Sequence, residues 1–268
     1  MSNTRRPSGS SAQRPQSTPR ATQAVVAVVA LLCVVAVIAI GLALRGSGST
    51  TPTASGGLST APSSTAPASA SASAPPSSMH CTAAPAPNTK PQSFASAPSA
   101  ALSKHATWDA LIVTNCGDIR MQLNGRAAPQ TVASFVFLAR KGFFDNSPCQ
   151  RLTTSGLYVL QCGDPTGTGT GGPGYGFGIE NAPKHGAYPA GTVAMARTSS
   201  PNSNGSQFFV VYKDTALPTQ GGGYSIFGKV TQGLGIVKAL ARTGVTGGGG
   251  DGAPAQPISI LHVHVKKA

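Results

Sequence analysis

From about residue 106 to its end, this 268-residue chain is expected to form a mainly β domain. A single antiparallel barrel or sandwich, with two α-helices packed over its openings, is the architecture predicted. Three observations predict it. Short apolar runs punctuated by Gly, Pro and Asn recur from Trp108 onward, and one alternates strictly: Ile119, Met121 and Leu123 against Asp118, Arg120 and Gln122. Only two segments carry apolar residues at helical spacing. The resulting order (strands, helix, many strands, helix, strand) is too β-rich for a βαβ repeat.

The elements follow in sequence. Residues 1–23 are basic, with Arg5, Arg6, Arg14 and Arg20, and residues 24–44 carry no charge. At 1.5 Å per residue that run makes a helix of roughly 30 Å, the thickness of a bilayer's hydrocarbon. It is longer than a signal-peptide core, and "GLALRGS" is a poor cleavage site. The expectation is an uncleaved signal-anchor in the cell membrane, N-terminus cytoplasmic by its excess of Arg and the rest outside. Residues 45–105 are Ser, Thr, Ala, Pro and Gly with few large apolar side chains, which predicts a disordered linker.

In the domain, "ALIVTNCGDIRMQL" predicts a hairpin turning at Gly117. Pro129 opens a helix that Gly142 ends. Strands are expected around Leu152 and Val159, in "GTVAMA", "SQFFVVY" and "YSIFGKV", then a helix in "QGLGIVKALART" and a last strand in "ISILHVHV".

No Asp or Glu precedes Asp109, and seven of the 20 Lys and Arg lie before residue 106. The domain therefore carries 13 cations against seven acids, and about half of the +13 net charge sits outside it. No Lys/Arg block is interleaved with aromatics, which argues against nucleic-acid binding. Cys33 sits in the apolar run, while Cys81, Cys116, Cys149 and Cys162 are disulfide candidates for an oxidising exterior. Their spacings hold no close pair of the kind zinc uses, and among three possible pairings the sequence does not choose. Cys149 and Cys162 flank a hairpin, and pairing them leaves Cys81 to join Cys116.

Several motifs argue against other chemistries. "GDPTGTGTGGPGYGFG" has dinucleotide-like glycine spacing but runs into Pro173, not a helix, and "TGGGGDG" lacks a following helix as well. His262 and His264 share a strand face with no third metal ligand in reach by spacing. Ser206 lies in no nucleophile turn, and no acid, base and nucleophile converge. Any enzyme here works without a covalent step or proton transfer, and no cofactor is expected.

The segments "QRLTTSGLYVLQCGDPTGTGTGGPGYGFGIEN", "AMARTSSPNSNGSQFFVVY" and "YSIFGKV" resemble, in order and over 106–268, the cyclophilin-type peptidyl-prolyl isomerases. The resemblance implies an eight-stranded antiparallel barrel capped by two helices, with an outer groove for proline-containing polypeptides. It implies that Arg151 is the catalytic arginine and Gln161 the groove glutamine, and that Gln207 and Phe209 present the amide and ring of a proline pocket. Val159, Ala196, Leu217 and Tyr224 fall on pocket positions. The "GLYVLQ" segment has one extra residue, so the wall is either Leu157 or Tyr158. Arg197 replaces a residue that is Asn in many members, and a preference for acidic flanking residues is expected from it. Period-two alternation sends Phe208 to the core if Gln207 and Phe209 face the groove. A monomer is expected. The rival from another class is a non-catalytic proline-peptide-binding chaperone or adaptor that keeps the groove without turnover.

Overall fold

The computed structural model describes residues 80–268. The expected cytoplasmic segment, the anchor at 24–44 and the linker up to residue 79 lie outside the described residues. Among those described, no helix is long and apolar enough to cross a membrane.

The hairpin forms where alternation placed it, as β1 (Thr107–Thr114) and β2 (Gly117–Asn124), with Ile112 opposite Ile119 and Trp108 opposite Leu123. Gly117 turns the chain at φ 115°, a conformation open to glycine at little cost. Helix α1 (Pro129–Arg140) buries Val132, Phe135, Val136 and Leu138. Phe135 packs against Phe144, Phe208 and Phe227 with ring centroids 5.1–5.6 Å apart, which builds an aromatic centre for the core.

The N-cap of α1 is Ala128, which has no side-chain acceptor for the free N–H groups of the first turn. Glu180, far along the chain, supplies it: Oε1 accepts from Gln130 N at 2.9 Å, and Oε2 from Thr131 N and Oγ1 at 2.8 Å. Glu180→Ala is expected to cost about 1–2 kcal/mol, the scale of a lost cap. A urea midpoint unchanged from wild type would show the cap to be idle.

The remaining strands are β3 (Ser147–Pro148), β4 (Arg151–Thr153), β5 (Val159–Cys162), β6 (Ala187–Tyr188), β7 (Thr192–Met195), β8 (Phe208–Val211), β9 (Thr215–Ala216), β10 (Ile226–Gln232), β11 (Asp251–Gly252) and β12 (Ser259–Lys267). Helix α2 (Leu234–Thr243) buries Val237 and Leu240. One ten-stranded sheet runs in the order β11-β4-β5-β8-β7-β10-β2-β1-β12-β3, and β6 pairs with β9 apart from it. The expectation of eight strands is corrected on this point. Eight strands form the body of the sheet, and the two-residue strands β11 and β3 extend its ends. The order stays open from β11 to β3 among the described residues, making a half-barrel rather than a closed ring.

Residues 80–105, expected as part of a disordered linker, are instead laid along the domain. Cys81 is bonded to Cys116, Thr82 N donates to Asn115 O, and Asn88 N and Phe94 N donate to Pro165 O and Pro173 O. The Phe94 ring meets Phe137 edge-on at 4.9 Å, and a 3-10 turn at Ala100–Leu102 leads into buried Ser103. Composition misled because a segment with one Phe cannot make its own core, yet it can complete another one.

Candidate functional site

Strand register builds the site. Arg151 on β4 stands opposite Gln161 on β5, Gln161 opposite Phe209 on β8, Phe209 opposite Ala194 on β7, and Ala194 opposite Ile226 on β10. Directly paired residues share a face, so one row crosses five strands. Phe208, one residue away, is fully buried with Phe135 on the other face. Phe209 belongs to a second apolar cluster with Val159, Tyr188, Ala194, Val211 and Leu217. The outer face of the sheet therefore has its own small hydrophobic floor.

Over that floor opens a pocket of about 170 Å³. Leu157, Val159, Ala196, Phe209, Leu217 and Tyr224 form its apolar wall, and Arg151, Gln161 and Arg197 its polar rim. Tyr224 meets Phe209 edge-on at 5.7 Å, and its backbone is clasped at both ends by the Tyr188 hydroxyl at 2.9 and 3.0 Å. Tyr158 does not reach this pocket. Its ring turns the other way, onto Tyr212 and under Lys213 Nζ at 4.2 Å. Leu157 and Val159 are two apart and share a face, which necessarily rejects the residue between them.

The Gln side chains form a chain whose orientation is fixed at both ends. Arg151 Nη1 donates to Gln161 Oε1 at 3.4 Å, and Gln161 Nε2 to Gln207 Oε1 at 2.8 Å. Gln207 Nε2 in turn donates to Gly169 O and Gly171 O, both at 2.9 Å. A guanidinium can only donate and a carbonyl can only accept, so none of these amides can be flipped. Gln150 Nε2 adds a second donor to Gln207 Oε1 at 2.9 Å. Without a ligand both ends of the Gln207 amide are thus engaged, and the residue lines an adjoining depression of about 660 Å³. Its amide joins Gln161 to the glycine-rich loop.

That loop is organised by Asp164, which is buried. Its carboxylate accepts from Thr166 N and Oγ1, Thr168 Oγ1, Gly169 N and Gly171 N at 2.7–3.3 Å. Burial pushes its pKa up, but the Thr166, Gly171 and Gly169 donors outweigh burial and hold it below the usual carboxylate range. The stability this contributes is present above the unfolded Asp pKa, about 3.9, and is lost as pH falls through the lower folded value. Asp164→Asn places an NH₂ among these N–H groups and is expected to destabilise the fold by about 1–3 kcal/mol at neutral pH. The deficit should shrink as pH falls from the unfolded Asp pKa, about 3.9, toward the lower folded value, because wild type then loses the same charge; a deficit that does not change with pH would discount the carboxylate.

Arg151 holds a partner that the sequence does not suggest. Its Nε donates to Asp251 Oδ1 at 2.7 Å and its Nη2 to Oδ2 at 2.6 Å. The paired Arg151 lowers the Asp251 pKa, and the same bond raises that of Arg151 against its partial burial. Arg197 sits on backbone oxygens instead: Nε on Gly223 O at 2.7 Å, Nη1 on Thr198 O at 2.9 Å and Nη2 on Gln220 O at 3.2 Å, with Tyr224 beneath it at 5.0 Å. Cys149 and Cys162, immediately outside Gln150–Arg151 and Gln161, are joined by the second disulfide.

The residues lining the smaller pocket were all among those the sequence put forward, with Leu157 left open against Tyr158, whereas Gln150, Asp164 and Asp251 were missed. Asp164 carried a legible signal, an Asp two residues before Thr at a turn. Asp251, 100 residues from Arg151, carried none.

Residues 110–265 match the family model for cyclophilin-type peptidyl-prolyl cis-trans isomerases. A probable peptidyl-prolyl cis-trans isomerase B of Mycobacterium tuberculosis is 45% identical over 165 residues, 57% of this chain and 52% of its own. The mouse peptidyl-prolyl cis-trans isomerase-like 1 is 37% identical over 166 residues, 59% of this chain and 94% of its own. The chain spans about half the length of the mycobacterial relatives it matches. Among solved structures, a Cryptosporidium parvum cyclophilin-type isomerase superposes with TM-score 0.51 at 30% identity, covering 60% of this chain and 99% of its own. A second structure of that protein was determined in the presence of the dipeptide Ala-Pro. A match over more than half the chain, on the strands that carry Arg151, Gln161 and Phe209, means that the chain belongs to the cyclophilin-type peptidyl-prolyl cis-trans isomerase family.

Proposed function

We propose that this protein accelerates X–Pro cis-trans rotation in exported or cell-envelope proteins, held at the cell membrane by residues 24–44 with its domain outside. The observation that carries the activity is the row Arg151–Gln161–Phe209, which sets a fixed guanidinium at the rim of an apolar pocket. The Ala-Pro dipeptide of the structural relative supports proline-containing peptides as the ligand class.

The barrier to rotation, about 18–20 kcal/mol, arises from amide conjugation. In the twisted state the proline nitrogen turns pyramidal and regains its lone pair. A donor aimed at that nitrogen binds the twisted state better than either planar isomer, which is the condition for acceleration. Arg151 supplies the donor, while Phe209, Leu217 and Val159 grip the proline ring so that the acyl side rotates. Arg197 adds a cation with no carboxylate partner among the described residues, which favours acidic residues beside the X–Pro pair.

The test is exchange NMR on an X–Pro peptide with the full chain in detergent. Accelerated exchange supports the activity; binding without acceleration makes the protein a proline-peptide adaptor. For the anchor, a mature N-terminus near Ser47 by mass spectrometry would replace it with a released form.

A further inference from the structure

We infer that Asp251 is a positioning residue for the isomerase reaction, holding Arg151 by its back edge so that the outer N–H groups face the bound X–Pro amide. This rests on the activity proposed above. Arg151 has little else to hold it. Its side chain is 41% exposed, and its contact with Gln161 is long, at 3.4 Å. A free Arg samples many rotamers, and a donor that must meet a nitrogen lone pair only in the twisted state loses most of its effect if it wanders.

The carboxylate corrects this by a two-point grip on Nε and Nη2. A guanidinium has five N–H bonds. Asp251 takes one on Nε and one on Nη2, and Gln161 takes one on Nη1, leaving one on each terminal nitrogen. Arg151 lines the 170 Å³ pocket and Asp251 does not, so the acid lies behind the arginine rather than in the ligand's place. That separates a holder from a competitor.

The glycine run that leads to Asp251, which the nucleotide reading left without a role, delivers it. Gly247 and Gly248 lie at φ 81° and 79°, Gly250 O accepts from Thr154 N at 2.8 Å, and Asp251 then pairs with Thr153 as β11. The turn brings a carboxylate to the outer edge of β4, beside the arginine of that strand.

The experiment compares wild type, Asp251→Asn and Asp251→Glu as full chains. X–Pro exchange rates are measured across peptide concentrations, and the Arg151 Nε–H resonance is followed by NMR. Expected for Asp251→Asn is a kcat about 10- to 100-fold lower, with KM changed by less than about twofold. The Arg151 Nε–H signal should be sharp in wild type and broadened in the Asn variant, and Asp251→Glu should recover part of both. Unchanged or higher kcat in Asp251→Asn, with wild type active, overturns the inference. So does a loss confined to KM, or one that leaves the Nε–H signal sharp. Should Asp251→Asn fail to fold, a Glu variant with wild-type Nε–H signal and kcat supports the inference, and one as unfolded as Asn overturns it in favour of a structural role. Absence of acceleration by wild type itself refutes the activity, and with it the premise of this inference.

Discussion

Arg151→Ala is expected to reduce kcat/KM for X–Pro isomerisation by about 10²- to 10³-fold, the cost of removing one preorganised donor from a developing charge. Stability should barely change. The side chain is 41% exposed and its ion pair with Asp251 lies at the surface, where such pairs contribute about 0–1 kcal/mol. Peptide affinity should also survive, because Phe209, Leu217 and the rest of the apolar wall remain. Arg151→Lys tests geometry against charge: an ammonium keeps the charge but cannot repeat the two-point contact with Asp251. A Lys variant as active as wild type would show that charge alone suffices. An Ala variant retaining most of its activity would remove Arg151 from the reaction.

Loss of the strap at residues 80–105 is expected to have the largest effect on stability and to reach the groove as well. The Cys81–Cys116 bridge closes a loop with a separation of 35 residues. Constraint of the unfolded chain on that scale is worth about 3–4 kcal/mol, so Cys81→Ser together with Cys116→Ser should lower the unfolding free energy by about that much. Phe94→Ala removes a ring packed on Phe137 and Phe143 and should cost about 2–4 kcal/mol. The strap also donates to Pro165 O and Pro173 O, the shoulders of the loop whose carbonyls hold Gln207. Weaker peptide binding should accompany both changes. Denaturant unfolding with calorimetric peptide titration checks this; wild-type stability in the double Ser variant would make the strap a passenger.

Much of the domain was legible because local rules sufficed. The β1–β2 hairpin, α1 after Pro129 and the strands around Leu152, Val159 and Phe209 each carried a period and a punctuating residue. The split of Phe208 from Phe209 followed from alternation alone. The same rule, applied to Leu157, Tyr158 and Val159, needed the register, because the extra residue in that segment hid which side chain faced out. The ten-strand count turned on two-residue strands too short to show any period.

By itself the sequence determined the β class and the helices, since each depends on neighbours within a few positions. The pocket residues came from family resemblance, with Leu157 and Tyr158 left open until the register was known. Only the tertiary structure decided that Asp251 grips Arg151, that Glu180 caps α1, that Gln207 is engaged at both ends and that residues 80–105 belong to the domain. Those contacts join residues 35 to 100 positions apart. A charge or an amide on one strand says nothing of its partner until the fold closes the loop between them.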